Sequence, residues 1–439
     1  MVSMIIAVPK AAPTALPELA TYLAPFADLF RRRWSRESFE RYTTGLLTDL
    51  SHKTCDTIAA AVAGTSTERL QHLLTDADWD ANALDQHRVQ QLITVSPAGG
   101  ILAIDDTTFP KNGRASVGVA RQYCGELGKV ANCQTLVTAE YIADDPTTQT
   151  PLHWPVTGQI FLPEAWTNAP ERRNRAHIPA TVTAQTKHDI ALGLIDQARA
   201  WQVPFRMVLA DAGYGRVASF IRGLDDRQLS YVCGVDKMFG VREPDAVRTT
   251  PTTAPVIPGK RGRPRKAHPA PLVVAHAIIA AVAPDAWQTI NWRTGTKGAM
   301  QKQFVALRMH MGTGEAGRTL DDHRVYTSAE GWLIAERPIA GQEGEIKYYW
   351  SNLPAAIALT QLAAYVRARW PIEQFYEDAK QECGLGDYQG RRWDGFQRHV
   401  ALVMLAYSFL VQQRMTEPER TAGAFSPCGA ATIAPIRTS

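Results

Sequence analysis

Residues 99–106 read Gly-Gly-Ile-Leu-Ala-Ile-Asp-Asp, and they carry more structural information than any other short segment of this chain. The turn cluster 96–100 (Ser-Pro-Ala-Gly-Gly) sets off an apolar run too short for a helix, Ile101 to Ile104. Such a run between turn signals is a buried strand. It is expected to stop at Asp105 and Asp106, which places carboxylates at a strand tip. After Pro204 the pattern repeats: Met207-Val-Leu-Ala210 is apolar and ends at Asp211. Open α/β sheets gather their ligands at strand ends. Two anionic carboxylates brought together repel each other unless a cation intervenes, and hard oxygen donors select magnesium or manganese.

Working outward from Asp105, two further strands are expected around Val117–Tyr123 and, with clean alternation, around Thr135–Ile142. A helix follows whose inward stripe is Ala191, Leu194, Ile195 and Ala198. A three-strand meander, a crossover helix and a fourth strand beside the first is the order of a ribonuclease-H-like α/β core. A third carboxylate is then expected on a nearby helix, and Glu373 is the candidate. In the stretch 369–380, Pro371 suits the first helical position, while Ile372, Phe375, Tyr376 and Ala379 form an inward stripe. Glu377 and Lys380 fall on the side of Glu373 at one- and two-turn spacing.

Each of these residues has a plainer reading when taken alone. A single Asp after a strand is more often a turn former or helix cap, a first-turn Glu is favoured by the helix dipole, and a helix lysine is commonly solvated. The case for chemistry rests on their combination.

The rest of the chain bounds the answer. Its 439 residues carry a net charge of only +4, so a nucleic-acid partner is permitted but not demanded. Six scattered cysteines form neither a zinc pattern nor a disulfide framework, and a reducing cytoplasm is expected. The apolar start Met4–Val8 runs at once into Pro9 without a preceding basic region, so no secretory signal is expected. No stretch reaches the length of an apolar membrane span.

The expected organisation is a helical N-terminal domain over 1–95, the first part of the core over 96–240, a basic linker with a β-rich insertion over 241–355, the last part of the core over 356–415, and a disordered tail over 416–439. In the helical domain, Thr65 and Glu68 have capping-box spacing, and Arg31, Arg32 and Arg33 make a basic end that serves either DNA ends or solvent. The insertion shows short strands at Phe304–Met309, Trp332–Ala335 and Lys347–Trp350. The helix Phe396–Gln412 is apolar almost all round, as one packed under a sheet would be. The run 259–266 holds Lys260, Arg261, Arg263, Arg265 and Lys266. Its Arg-Gly-Arg-Pro resembles an AT-hook core, which places arginines in a narrow A·T minor groove, although a short basic run also serves for phosphate contact alone.

Five separated motifs occur in order: Ile104–Lys111, Ser116–Cys124, Gly128–Gln134, Leu209–Gly215 and Glu373–Gly384. Together they resemble the DDE transposases of bacterial insertion sequences, over about Gly100 to Phe409. The hairpin-forming group of that family carries Tyr-x2-Arg-x3-Glu-x6-Lys around its third acidic residue. Arg369, Glu373 and Lys380 match its last three members, while Tyr365 stands one residue early. The resemblance implies that Asp105, Asp211 and Glu373 are the catalytic carboxylates and hold two magnesium ions, with manganese as the substitute and Asp106 as the alternative first ligand. It implies that Arg369 and Lys380 contact DNA, with Tyr365 reaching the same phosphate from a shifted position or its role moved elsewhere, and that Trp350 or Trp332 in the β-rich insertion stacks on a displaced base, while Lys111, Arg121 and Lys129 are expected to line the substrate path. The implied reaction is cut-and-paste strand cleavage and transfer through a DNA hairpin. Its partners are double-stranded transposon ends and target DNA, with a homodimer formed in the DNA complex. Two rivals stay open: a non-catalytic DNA-binding protein derived from a transposase, and a metal-dependent nuclease without joining activity.

Overall fold

The computed structural model describes residues 10–12, 16–144, 151–244, 272–295, 298–313 and 326–416. The basic run with Lys260, Arg261, Arg263, Arg265 and Lys266, and the tail from 417 onward, lie outside the described residues. The chain divides into two compact units, one formed up to Phe205 and again from Trp370, the other by Arg206–Arg369.

The first unit begins with five α-helices: α1 (Pro17–Leu23), α2 (Arg33–Leu46), α3 (Cys55–Ala61), α4 (Thr67–Thr75) and α5 (Ala81–Val95). Short polar caps set their starts. Thr54 and Thr57 close a capping box on α3, and Asp80 accepts the Asn82 N–H on α5. The cap of α4 is Ser66, which accepts from the Arg69 N–H, so this helix starts one residue later than the Thr65 spacing predicts. Part of the basic end is held internally: Glu37 takes Arg33, Arg41 and Arg69, and Arg69 leads in holding its carboxyl down at about 2.

Four strands follow, β1 (Gly100–Pro110), β2 (Ala120–Cys124), β3 (Lys129–Asp144) and β4 (Pro151–Ile160). The 16-residue β3 takes three antiparallel partners. β1 lies along one edge, and β2 then β4 share the other. β1 therefore does not end at its aspartates, as its apolar run suggests it should. Ladder pairing with β3 continues from Ile101↔Ile142 to Pro110↔Cys133, which leaves Asp105 opposite Thr138 in mid-strand. Thr107, Thr108 and Phe109 are strand-favouring, and β3 is long enough to pair with all of them. β4 is not evident in the sequence because Pro151 and Pro155 interrupt its alternation. Helix α6 (Lys187–Ala200) packs on β1, β3 and β4, and buries Ala191, Leu194, Ile195 and Ala198 as the stripe predicts.

The second unit opens with β5 (Phe205–Ala210), then α7 (Ala212–Gly215), α8 (Ala218–Asp226) and β6 (Ser230–Val235). β5 and β6 run parallel, from Met207↔Ser230 to Ala210↔Cys233, which makes this a βαβ element. The insertion adds β7 (Gly240–Arg242), β8 (Val273–Val274), β9 (Gln288–Gly295), β10 (Gly298–Thr313), β11 (Tyr326–Arg337) and β12 (Lys347–Ser351). Its sheet order is β6-β12-β11-β10-β7-β8, with β9 also on β10. After α9 (Leu359–Arg367) the chain returns to the first unit as α10 (Trp370–Cys383) and α11 (Trp393–Thr416). The fold is a mixed α/β, ribonuclease-H-like arrangement carrying a β-rich insertion.

α11 is buried along most of its length against α5, β4 and α10. At that junction the fully buried Arg88 donates to the carbonyls of Pro155 (2.5 Å) and Val156 (2.7 Å), to Asp85 Oδ1 (2.9 Å) and to Ser408 Oγ (3.1 Å). A single guanidinium thus ties α5, β4 and α11 together, with its charge compensated by carboxylate and carbonyls.

Candidate active site

Successive side chains of a strand alternate between faces, and on β1 that alternation separates the two adjacent aspartates. Asp106 faces α6, where Lys187 Nζ lies 3.0 Å from one carboxylate oxygen and 3.1 Å from the other. Asp105 lies on the face covered by α10. Its ladder partner Thr138 shares a 2.6 Å hydroxyl–hydroxyl hydrogen bond with Tyr376 of α10. Burial pushes the Tyr376 phenol well above its ordinary range, and the nearby Asp105 charge adds to the push.

α10 presents Ile372, Phe375, Tyr376 and Ala379 inward and leaves Glu373 and Glu377 exposed. The Tyr376–Thr138 bond fixes the helix against β1 and β3, with Glu373 one turn before the anchor. Further along, Lys380 Nζ donates to the Thr108 carbonyl (3.0 Å) and to Glu126 Oε2 (2.6 Å) and lies over the Phe109 ring. The helix stops at Gly384, whose φ of +71° suits glycine. Just there the buried Lys53 Nζ donates to the carbonyls of Leu46, Thr48 and Glu382, joining the helical domain to the end of α10. Desolvation lowers the Lys53 pKa. His399 reinforces the same corner. A carbonyl only accepts, so His399 Nε2 donates to Gly384 O (3.0 Å) and its Nδ1 accepts from the Tyr42 hydroxyl (2.8 Å).

In the second unit, Asp211 follows β5 directly and caps α7. Its Oδ1 accepts from the N–H groups of Gly213 (2.9 Å) and Tyr214 (3.3 Å). The plain role of helix cap and a strand-tip carboxylate are thus found in one residue. Close packing supports this turn: a Cβ on Gly215 would come within 2.0 Å of the Gly234 carbonyl.

The remaining predicted contacts divide. Arg121 is exposed on β2. Lys111 is partly buried, and its ammonium donates to the carbonyls of Gly386 (3.1 Å) and Tyr388 (2.7 Å), so it braces the loop after α10 rather than facing solvent. Tyr365 lies under the Arg206 guanidinium at 5.4 Å, and Arg369 is partly exposed beyond α9. Trp350 is 1 % exposed and packs against Phe239, a core position with no open ring face for a base. Trp332 is partly exposed, with its Nε1 donating to Pro354 O and the Arg308 guanidinium 4.8 Å from its ring.

Carboxylate oxygens are the donor type that a hard divalent ion requires, and Asp105, Asp211 and Glu373 are the residues for which the sequence predicts that role. Among the described residues, no three His, Cys, Asp or Glu side chains stand close enough together to share an ion. Sequence reasoning missed Lys187, Glu126, Lys53 and His399, because the partner of a charged or polar residue remote in the chain leaves no periodic mark.

The family comparison agrees with this framework. The pattern of the DDE superfamily endonucleases matches residues 25–299, well over half of the chain, and the chain belongs to that family. It is also 29 % identical over 229 residues to the probable transposase for insertion sequence element IS701 of Microchaete diplosiphon. That match spans 52 % of this chain and 56 % of the relative, so the likeness covers about half the length of each. Among the described residues, no helix is long and apolar enough to cross a membrane.

Proposed function

We propose that this endonuclease is the transposase of an insertion sequence, cutting DNA at the element's ends and joining the freed 3′-hydroxyls to target DNA by a cut-and-paste route through a DNA hairpin. The observation that supports this best is the docking of α10 on the Asp105 face. It sets the Glu373 helix, bearing Lys380, beside the β1 strand within a chain of the DDE endonuclease family. Asp105, Asp211 and Glu373 are assigned as ligands of two magnesium ions, with manganese able to substitute. The assignment rests on the motifs and on the separation of Asp105 from Asp106, not on a preformed cluster.

Held by Asp105, Asp211 and Glu373, such ions would supply activation of the attacking hydroxyl and neutralisation of charge on the leaving oxygen. The chain's own residues do the rest. Asp211 is held in one orientation by the two α7 amides, Asp106 is kept from the reaction by Lys187, and α10 is locked at its middle by Tyr376 and at its C-terminal end by Lys53. Arg369 and Lys380 are the cations assigned to the DNA backbone, Lys380 on exchanging Glu126 Oε2 for a phosphate, with Arg121 further out. Two ends cut in concert call for a homodimer in the DNA complex.

The test is cleavage of labelled DNA carrying the element's ends with magnesium, comparing wild type with Asp211→Asn and Glu373→Gln. Hairpin and joined products from the wild type alone, with DNA binding intact in both variants, are expected. Cleavage by the variants removes the ligand assignment. Binding without cleavage by the wild type identifies a non-catalytic DNA-binding protein, and cleavage without joining identifies a nuclease.

A further inference from the structure

The tip of the β2–β3 hairpin carries an unusual surface. Tyr123 (64 % exposed), Leu127 (45 %) and Val130 (53 %) all fall within 123–130, where a solvated turn would be polar. Register places Tyr123 directly opposite Val130, so the two side chains share one face, and Arg121 continues that face. Arg121 and Lys129 are both exposed, and neither makes an ion pair or a side-chain hydrogen bond among the described residues. This differs from Lys111, Lys187 and Lys380, whose ammonium groups are engaged.

The hairpin is not a loose appendage. The Glu126 backbone N–H donates to Thr108 Oγ1 (3.4 Å), Cys124 Sγ lies 3.4 Å from that same hydroxyl, and Glu126 Oε2 meets Lys380 of the Glu373 helix. An exposed aromatic beside the free Arg121 cation on the same face, with Lys129 on the other face at the hairpin end, has the composition of a platform for unpaired nucleotides on a rigid strand pair tied to α10. A base stacks on the ring while cations take the backbone phosphates.

Resting on the transposase reading, we infer that the β2–β3 hairpin binds unpaired DNA next to the cut site, with Tyr123 as the stacking residue and Arg121 of the same face on the phosphates. This differs from the tryptophans of the β-rich insertion, one of which is buried in the core. The partner is DNA rather than another apolar surface because the exposed ring and methyl groups are bordered by the uncompensated positive charge of Arg121.

The test compares binding of a fully paired duplex with that of the same duplex frayed at one end, for wild type, Tyr123→Phe and Tyr123→Ala, each checked for an unchanged melting temperature. The wild type is expected to prefer the frayed DNA by roughly 5- to 100-fold. Tyr123→Phe keeps that preference, Tyr123→Ala loses it, and affinity for paired duplex changes less than about twofold. An undiminished preference in Tyr123→Ala overturns the inference. So does a shift from dimer to monomer in Tyr123→Ala with DNA preference intact, since a second copy would then be what covers the surface. A wild type that binds both DNAs equally also overturns it while leaving the transposase reading standing. A wild type that binds neither removes that reading and this inference together.

Discussion

Replacing the two adjacent aspartates one at a time discriminates sharply between their environments. Asp106→Asn removes a charge that Lys187 contacts at 3.0 and 3.1 Å. Both partners are partly exposed, so the pair contributes at most about 1 kcal/mol, and asparagine keeps one acceptor for the ammonium. The expected loss is below about 4 °C in melting temperature, with cleavage reduced less than about tenfold. Lys187→Met should match it, and the double variant should be no worse than either single. Asp105→Asn leaves Oδ1 able to accept the Asp106 N–H, so the strand is retained, but it removes the negative charge assigned to the metal. Cleavage should fall by about a thousandfold or more, equivalent to about 4 kcal/mol of barrier. Nicking of labelled DNA with magnesium, alongside thermal melting, reads both effects. An inactive Asp106→Asn beside an active Asp105→Asn would refute the argument from the strand faces.

Two predictions concern the scaffold that carries α10. Burial lowers the His399 pKa to about 4 from an ordinary 6.5, so between those values the unfolded chain binds a proton that the native state does not. Stability is therefore fully present above 6.5 and declines as pH falls to about 4, by about 3 kcal/mol at 1.4 kcal/mol per pKa unit. His399→Gln, denatured with urea across that range, should show a flatter pH slope, and an unchanged slope would count against it. Arg88→Met strands Asp85 and two β4 carbonyls and is expected to destabilise by about 3–5 kcal/mol. The companion Asp85→Leu should recover part of that loss. Equilibrium unfolding showing less than about 1 kcal/mol for Arg88→Met would mean that the junction is held by apolar packing alone.

Local chemistry makes much of this protein legible in its sequence. Ile101–Ile104 and Met207–Ala210 read as buried strands, and the stripes on α6 and α10 name their own inward faces, because periodicity and propensity act within a few residues. Asp105, Asp211 and Glu373 stand out for the same reason, and the ordered motifs carry the family.

Other features depend on partners remote in the chain. β1 runs past its aspartates because β3 is long enough to pair with it, and β4 forms despite two prolines because β3 offers an edge. The same distance in sequence hides the meaning of single charges. Lys111, expected toward DNA, and Lys53 are bound to carbonyls, Lys380 meets Glu126, and Asp106 meets Lys187. A strand or helix is specified by its neighbours along the chain, so its sequence determines it. Whether a carboxylate or ammonium is free for a ligand depends on which opposite charge or carbonyl folding brings within about 3 Å, and only the tertiary structure decides that.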